Sequence, residues 1–285
     1  MIAITGATGH LGRLTIQALL QRGVPAHQIV ALVRDPAKAA DLTEQGVQVR
    51  QADYHQPDTL RSALQGIQKL LLISTSDFND RVGQHRNVVE AAREAGVGLL
   101  AYTSGLNMDI STALLTGDHK TTEGLVRASD LPFVLLRNGW YSENYTNTLD
   151  QTLASGVMLG SGGEGPITPA ARQDLAQAAA AVLATDGHEN AVYELGGDEA
   201  LTLSELAAQI SRQTGKTVTY QNLPLDALTQ VYVDAGLPAP MATMFADSAA
   251  AIGRGEWATG SGDLRRLIGR PTTPFTDVLA AALKS

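Results

Sequence analysis

Gly6, Gly9 and Gly12 recur at three-residue intervals in the opening stretch MIAITGATGHLGRLTIQALLQR. Their chemistry is that of a phosphate cradle. Gly6 turns the chain off an apolar strand through backbone angles that a side chain resists. Gly9 lets the main chain approach a pyrophosphate, and Gly12 lets the following helix pack tightly on the sheet. Thr8, His10 and Leu11 complete the turn. The free N–H groups and positive end of the helix then face the phosphates. The pattern is GxxGxxG rather than the GxGxxG of ordinary dinucleotide dehydrogenases. Glycines that serve packing alone have the same look, but the strand before and the helix after argue for a dinucleotide.

A second strand ends Leu32-Val33-Arg34. An acidic residue there would bind the ribose 2′-hydroxyl of NAD, whereas an arginine fork suits a 2′-phosphate. Arg34, with Lys38 one helical turn on, therefore predicts NADP(H). Its alternative is a solvated surface charge. Asp35 precedes Pro36 and reads as a helix cap. Asp53 ends the third strand, where its carboxylate either accepts from the adenine amine or caps the next helix. Ser74, Thr75 and Ser76 end the fourth strand, and ligands on such sheets sit beyond the carboxyl ends of the strands. These hydroxyls are candidates for the cofactor ribose, although ordinary loop residues look the same.

These residues need a scaffold of alternating strands and helices. Strands are read at Ile2–Ile4, Gln28–Arg34, Val47–Ala52, Lys69–Ser74, Gly98–Ser104 and Pro132–Arg137. Helical patterns fill the intervals, including one from Asp35-Pro36 through Glu44 and one near Ala113–Ser129. Gly23, Gly46, Gly66 and Gly96 each stand where a helix should end, and glycine there tolerates the left-handed conformation. The pattern is βαβ units forming an α/β, Rossmann-type doubly wound parallel sheet. Asn138–Pro169 changes character, with polar aromatic residues and then glycines. Asp174–Ala184 is an alanine-rich helix, and Val192–Leu195 a strand that rejoins the sheet. A helix over Leu201–Thr214 starts with Thr202 and Glu205 placed as a capping box. Leu223–Trp257 and Gly262–Leu283 read as mostly helical. The expected division is a nucleotide domain of residues 1–137 plus about 170–200, and a smaller α/β C-terminal domain of residues 138–169 plus about 201–285.

Composition narrows the function. A chain of 285 residues with 44% hydrophobic and 18% charged residues supports a sizeable core. A net charge of −8 argues against a general affinity for nucleic acid or an anionic membrane. Without cysteine there is no disulfide, thiolate catalysis or cysteine metal site. The six histidines show no metal-ligand spacing. The opening strand has no signal-peptide pattern, and no apolar run approaches the ~20 residues of a membrane span. The expected compartment is the cytoplasm.

ITGATGHLG, the arginine after ALV, ADY at Ala52–Tyr54, LLIS, QHRNVVEAA, AYTS and LLRNGWYSENY together resemble the NmrA-like branch of the atypical short-chain dehydrogenase/reductases. The likeness runs through VYELGG to LIGRPTT. It is nearest to the bacterial quinone-reducing members, with the triphenylmethane dye reductases related. The resemblance implies NADPH bound across Gly6–Gly12, Arg34, Ser74–Ser76 and the segment beginning Asn138, with Tyr102 and Gly139 also among the cofactor contacts. It implies direct hydride transfer to a quinone, without flavin.

Ordinary members of that superfamily carry a catalytic tyrosine with a lysine four residues on. Here His119 takes the tyrosine-like place and Glu123 the lysine-like place. Alcohol dehydrogenation therefore becomes doubtful, while a quinone, already a strong hydride acceptor, demands less. His119, with an ordinary pKa near ~6.5, is a candidate proton donor or a structural histidine. Asn138, Trp140, Tyr141, Asn144 and Tyr145 follow a strand that ends at the cofactor. Asn138 and Tyr141 are the other catalytic candidates. The aromatic rings either stack on a flat acceptor or pack the joint between domains. Met241, Met244 and Phe245 form either an apolar wall or core. The expected small-molecule partner is a quinone or another planar electron acceptor such as a dye, azo compound or enone. A second reading is an NADP(H)-binding redox sensor without turnover. A homodimer is carried by analogy alone.

Overall fold

A computed structural model describes residues 1–284. Nine strands form two sheets: β1 (Ile2–Ile4), β2 (Ile29–Val33), β3 (Gln48–Gln51), β4 (Lys69–Leu72), β5 (Leu99–Gly105), β6 (Phe133–Asn138), β7 (Val157–Gly160), β8 (Ala191–Leu195) and β9 (Thr219–Asn222). The helices are α1 (His10–Gln21), α2 (Ala40–Glu44), α3 (Pro57–Ala63), α4 (Arg81–Glu94), α5 (Gly117–Arg127), α6 (Glu143–Thr146), α7 (Leu149–Ser155), α8 (Arg172–Ala184), α9 (Leu203–Thr214), α10 (Leu225–Asp234), α11 (Ala239–Gly253), α12 (Asp263–Ile268) and α13 (Phe275–Ala282).

The large sheet is wholly parallel, in the order β3-β2-β1-β4-β5-β6-β8. Its inner strands are apolar on both faces, as a covered parallel sheet requires. On one face Ile4, Ala31, Leu71 and Val134 pack against Ile16 and Leu19 of α1 and Leu175 and Val182 of α8. On the other, Val30, Leu70, Leu100 and Leu135 meet Leu60, Val88, Ala92 and Val126 of α3, α4 and α5. Order reverses between β1 and β4, whose carboxyl ends flank the glycine turn. Gly23, Gly46, Gly66 and Gly96 have φ of +82°, +83°, +73° and +67°. The expected left-handed helix ends are therefore present at all four junctions.

A third core lies under the second unit. Leu149, Met158, Leu206, Ile210, Ile252, Trp257 and Phe275 are buried there together. β7 and β9 pair in parallel beside it. Neither strand was legible: the stretch 138–169 also contains α6 and α7, and Thr219–Asn222 is polar and largely exposed. Two expected helices are broken. Pro36–Ala39 is a 3-10 turn before α2, and Leu114–Thr116 another before α5. The Thr202–Glu205 capping box forms as read. The C-terminal part returns to the first unit, because Leu264 of α12 is buried in the α1–α8 core.

Glu256, just after α11, is bonded to the segment before α5. It accepts hydrogen bonds from the Ser111 hydroxyl (2.6 Å) and from the N–H groups of Thr112 (3.0 Å) and Ala113 (3.1 Å). Burial opposes its charge, yet these donors and Arg254 hold its carboxyl down to about 2. The segment leading into α5 is thereby fixed. No helix among the described residues is long and apolar enough to cross a membrane.

Candidate active site

β1 ends at Ile4, and the chain turns at Gly6 with φ +56°. The Ala7 N–H reaches Leu32 O at 3.4 Å, so the turn lies against the end of β2. A Cβ on Gly12 would come 2.4 Å from Gly6 O and 2.8 Å from Ala7 Cα, and one on Gly9 3.2 Å from Gly6 O. Only glycine permits this folding-back of the turn on its helix. Gly9 caps α1 without a side-chain bond, which leaves the first helical N–H groups for a ligand.

A cavity of about 500 Å³ opens over the carboxyl ends of the strands. Gly6, Gly9, His10, Leu11 and Gly12 line one end, and Ser74, Thr75, Ser76, His119, Asn138, Gly139 and Tyr141 line the rest. Trp140, Asn144 and Phe245, read from sequence as alternatives, are also in its wall. Four expected residues are not. Thr8 is beside the turn, where its carbonyl accepts from Arg13 Nε at 3.3 Å. Arg34 is exposed at the end of β2, and among the described residues its guanidinium has no hydrogen bond or ion pair. Asp53 accepts from the His55 N–H at 3.0 Å, in the turn that leads into α3. Tyr102 is fully buried beneath the wall. Met241 and Met244 are likewise outside the wall, which leaves Phe245 alone of that trio.

Tyr102 does not reach the cavity because its hydroxyl meets His119 Nδ1 at 2.7 Å. Burial pushes the Tyr102 hydroxyl above its usual range. Burial also drives the His119 pKa down to about 3, with Arg81 adding repulsion. His119 is therefore neutral, and Tyr102 is a protonated phenol that orients it. Beside them His85 donates from Nδ1 to Thr122 Oγ1 (2.9 Å), because the Thr122 hydroxyl itself donates to Asp118 O (2.8 Å). His85 Nε2 accepts from the Thr75 N–H at 3.1 Å, and burial holds its pKa at about 3. Tyr141 is also pushed up by burial, opposed by the Asn138 amide.

Glu123 explains why no lysine stands in that place. Arg137 of β6 receives it in a two-pronged pair at 3.0 and 2.8 Å and also binds Asp109 (2.7 and 2.9 Å) and Glu194 (2.8 Å). Glu123 is committed to that network and has no proton role.

Sequence reading missed Arg81. It is buried at the start of α4, 4.3 Å from the Phe78 ring, and its Nε donates to Thr75 O at 3.0 Å. Among the described residues its Nη1 has no hydrogen-bond partner and no carboxylate forms a salt bridge with it, although the Asp118 charge acts on it from a distance. It lies in the cavity wall with Phe78. Arg13 was missed too. It pairs with Asp41 and donates to Lys38 O (2.8 Å), tying the glycine turn to the segment that follows Arg34. Trp257 faces Trp140, with ring centroids 5.5 Å apart.

The site thus offers a phosphate turn, unpaired cations beside the second strand, and an aromatic wall over neutral histidine and phenol groups. It has no tyrosine–lysine pair. Such a site can hold a dinucleotide against a planar molecule, and it is poorly suited to deprotonating an alcohol.

A family model described as the NmrA-like family matches residues 1–259. Quinone oxidoreductase 2 of Escherichia coli (strain K12) is 50% identical over 277 residues, which is 97% of this chain and 96% of that protein. The crystal structure of the NADPH-dependent quinone oxidoreductase from Escherichia coli complexed with NADPH superimposes with a TM-score of 0.96 at 49% identity, covering 99% of this chain and 100% of the other. The Citrobacter sp. triphenylmethane reductase complexed with NADP(H) gives a TM-score of 0.92 at 40% identity, with 99% and 100% covered.

Proposed function

Because the chain belongs to the NmrA-like family, we propose that it is an enzyme, an NADPH-dependent oxidoreductase that reduces a quinone. One observation carries this reading: a single cavity runs from the glycine turn to the Trp140–Phe245 wall, and its floor holds no acid–base pair. The Cβ clearances at Gly9 and Gly12 and the uncapped start of α1 fit a pyrophosphate. The Arg34 guanidinium and the Lys38 ammonium, which have no hydrogen bond or ion pair among the described residues, suit a 2′-phosphate.

When bound, NADPH supplies a hydride from its nicotinamide ring to the acceptor. The chain supplies position and electrostatics. Gly139, whose N–H donates to Leu195 O at 2.9 Å and whose Cβ would press on Leu195 O and Thr168 O, lets the main chain after Asn138 pack tightly on the end of β8. Trp140 and Phe245 offer flat apolar faces that exclude water from the acceptor ring. With the Tyr102 hydroxyl donating to His119 Nδ1, the tautomer this scheme requires, the His119 Nε2–H is a hydrogen-bond donor for an acceptor oxygen. The unpaired charge of Arg81 favours the negative charge that collects on that oxygen. In this scheme His119 lends a hydrogen bond and keeps its proton, and water protonates the product on release. Asn138 and Tyr141 orient the ring from the other side.

A cytoplasmic homodimer belongs to the same proposal, to be tested by fractionation and sedimentation. The central test is NADPH oxidation, followed by absorbance, on adding small benzoquinones and naphthoquinones. Turnover is expected. Bound NADPH with no turnover across the quinone panel would return the protein to the sensor reading.

A further inference from the structure

A second cavity, of about 630 Å³, adjoins the first and shares Trp140, Asn144, Phe245 and Trp257 with it. Beyond those four, its wall comes from Tyr145 of α6, Thr148, and residues of α7, β7, α9, α10 and α11. Val157, Met158, Leu159, Leu203 and Ile252 give the wall an apolar stretch, beside neutral polar residues such as Gln151, Thr152 and Ser248. Not one Asp, Glu, Lys, Arg or His contributes to it.

Size and charge decide what belongs there. A dinucleotide that spans the glycine turn and Asn138 is confined to the first cavity. A one-ring quinone fits at the aromatic junction and would leave the second chamber empty. Chambers of this volume normally enclose a ligand of drug size. A cationic dye would lack a carboxylate here, and a sulfonated azo compound would lack a cation, so either would carry an unpaired charge into an uncharged wall. On the reading of the protein as a quinone reductase, we infer that its acceptor bears a long, uncharged, apolar substituent. The quinone ring lies between Trp140 and Phe245, and the substituent fills the second chamber.

The experiment compares 2,3-dimethoxy-5-methylbenzoquinone with the same ring bearing a decyl chain. NADPH oxidation gives kcat and KM, and quenching of Trp140 and Trp257, the only two tryptophans in the chain, gives binding of the tailed hydroquinone without turnover. The expected result is a KM at least tenfold lower for the tailed quinone, with a matching gain in the quenching titration. Ala249→Phe on α11 and Thr152→Phe on α7 reduce the volume, and each should shrink the tailed-to-tailless ratio towards one. If neither quinone is reduced, the enzyme reading itself fails. If turnover occurs and the tail brings no gain by either readout, this inference is overturned. It is equally overturned if the gain survives both fillings, or if a cationic or sulfonated dye outperforms the tailed quinone in kcat/KM.

Discussion

Acid should destabilise this protein well before its carboxylates titrate, through the two histidines beneath the site. His85 and His119 both have pKa values near 3 in the fold, against ~6.5 in an unfolded chain. A lowered pKa means that the native state refuses a proton that the unfolded state takes up. The resulting stability is complete above pH ~6.5 and is lost as pH falls from there towards 3. The slope is about 1.4 kcal/mol per pH unit for each group. By pH 5 each histidine should therefore have removed about 2 kcal/mol, and the pair about 4 kcal/mol. Carboxylates add to this mainly below pH ~4.5, so the window between 5 and 6.5 isolates the histidines. His188, lowered by burial, acts in the same direction. The assay is urea unfolding of the NADPH-free protein at half-unit steps from pH 8 to 5, followed by tryptophan fluorescence. His119→Gln should remove about half of the slope. Equal stability at pH 7.5 and 5, or a histidine resonance at position 119 that titrates near 6.5, would refute the reasoning. A consequence for turnover follows: kcat should show no histidine inflection between pH 6.5 and 8.

Arg34→Ala should cost NADPH about tenfold or more in affinity, the range of one charge-assisted bond, and leave NADH nearly unchanged in calorimetry. Gly12→Ala places a methyl 2.4 Å from Gly6 O; overpacking of about 1–3 kcal/mol should lower the melting temperature and weaken NADPH binding together. Arg137→Leu leaves the buried Glu123 without its counter-ion, and urea unfolding should register a loss of about 3–5 kcal/mol.

The large sheet was legible because a covered parallel strand is a continuous apolar run, and IVALV and KLLL need no alternation to be recognised. The glycine turn was legible because its constraints lie within seven residues. β7 and β9 were not, since VMLG is a four-residue run ending in glycine and TYQN is polar, and the two pair across about sixty intervening residues. Arg81 was hidden for a related reason. An arginine at a helix start reads as solvated, and only the assembled β4 end, α5 and Phe78 bury it. Asp53 had two readings of equal weight, and its bond to the His55 N–H shows the carboxylate engaged in the turn before α3.

His119 and Glu123 on α5 stand where the ordinary tyrosine and lysine would be. Their surroundings argue for a complete exchange of chemistry. A tyrosine activated by lysine must lose its proton easily, which requires a cation beside the phenol. Here the cation of β6, Arg137, is held by Asp109, Glu123 and Glu194. The phenol that remains, Tyr102, is enclosed so that it keeps its proton and orients His119. Arg81, the buried cation left unpaired, stands in the cavity wall, where an oxygen that gains electrons would benefit from it. Restoring the tyrosine and lysine of the ordinary pair should therefore not restore alcohol oxidation. His119→Tyr would meet the Tyr102 hydroxyl with a second protonated phenol, and Glu123→Lys would place a cation against Arg137. The double variant should show no NADP-dependent oxidation of secondary alcohols, and its quinone reduction should fall because His119 no longer donates to the acceptor. Alcohol oxidation by that variant would show that the α5 residues alone select the reaction, and that the buried network of Arg137 does not.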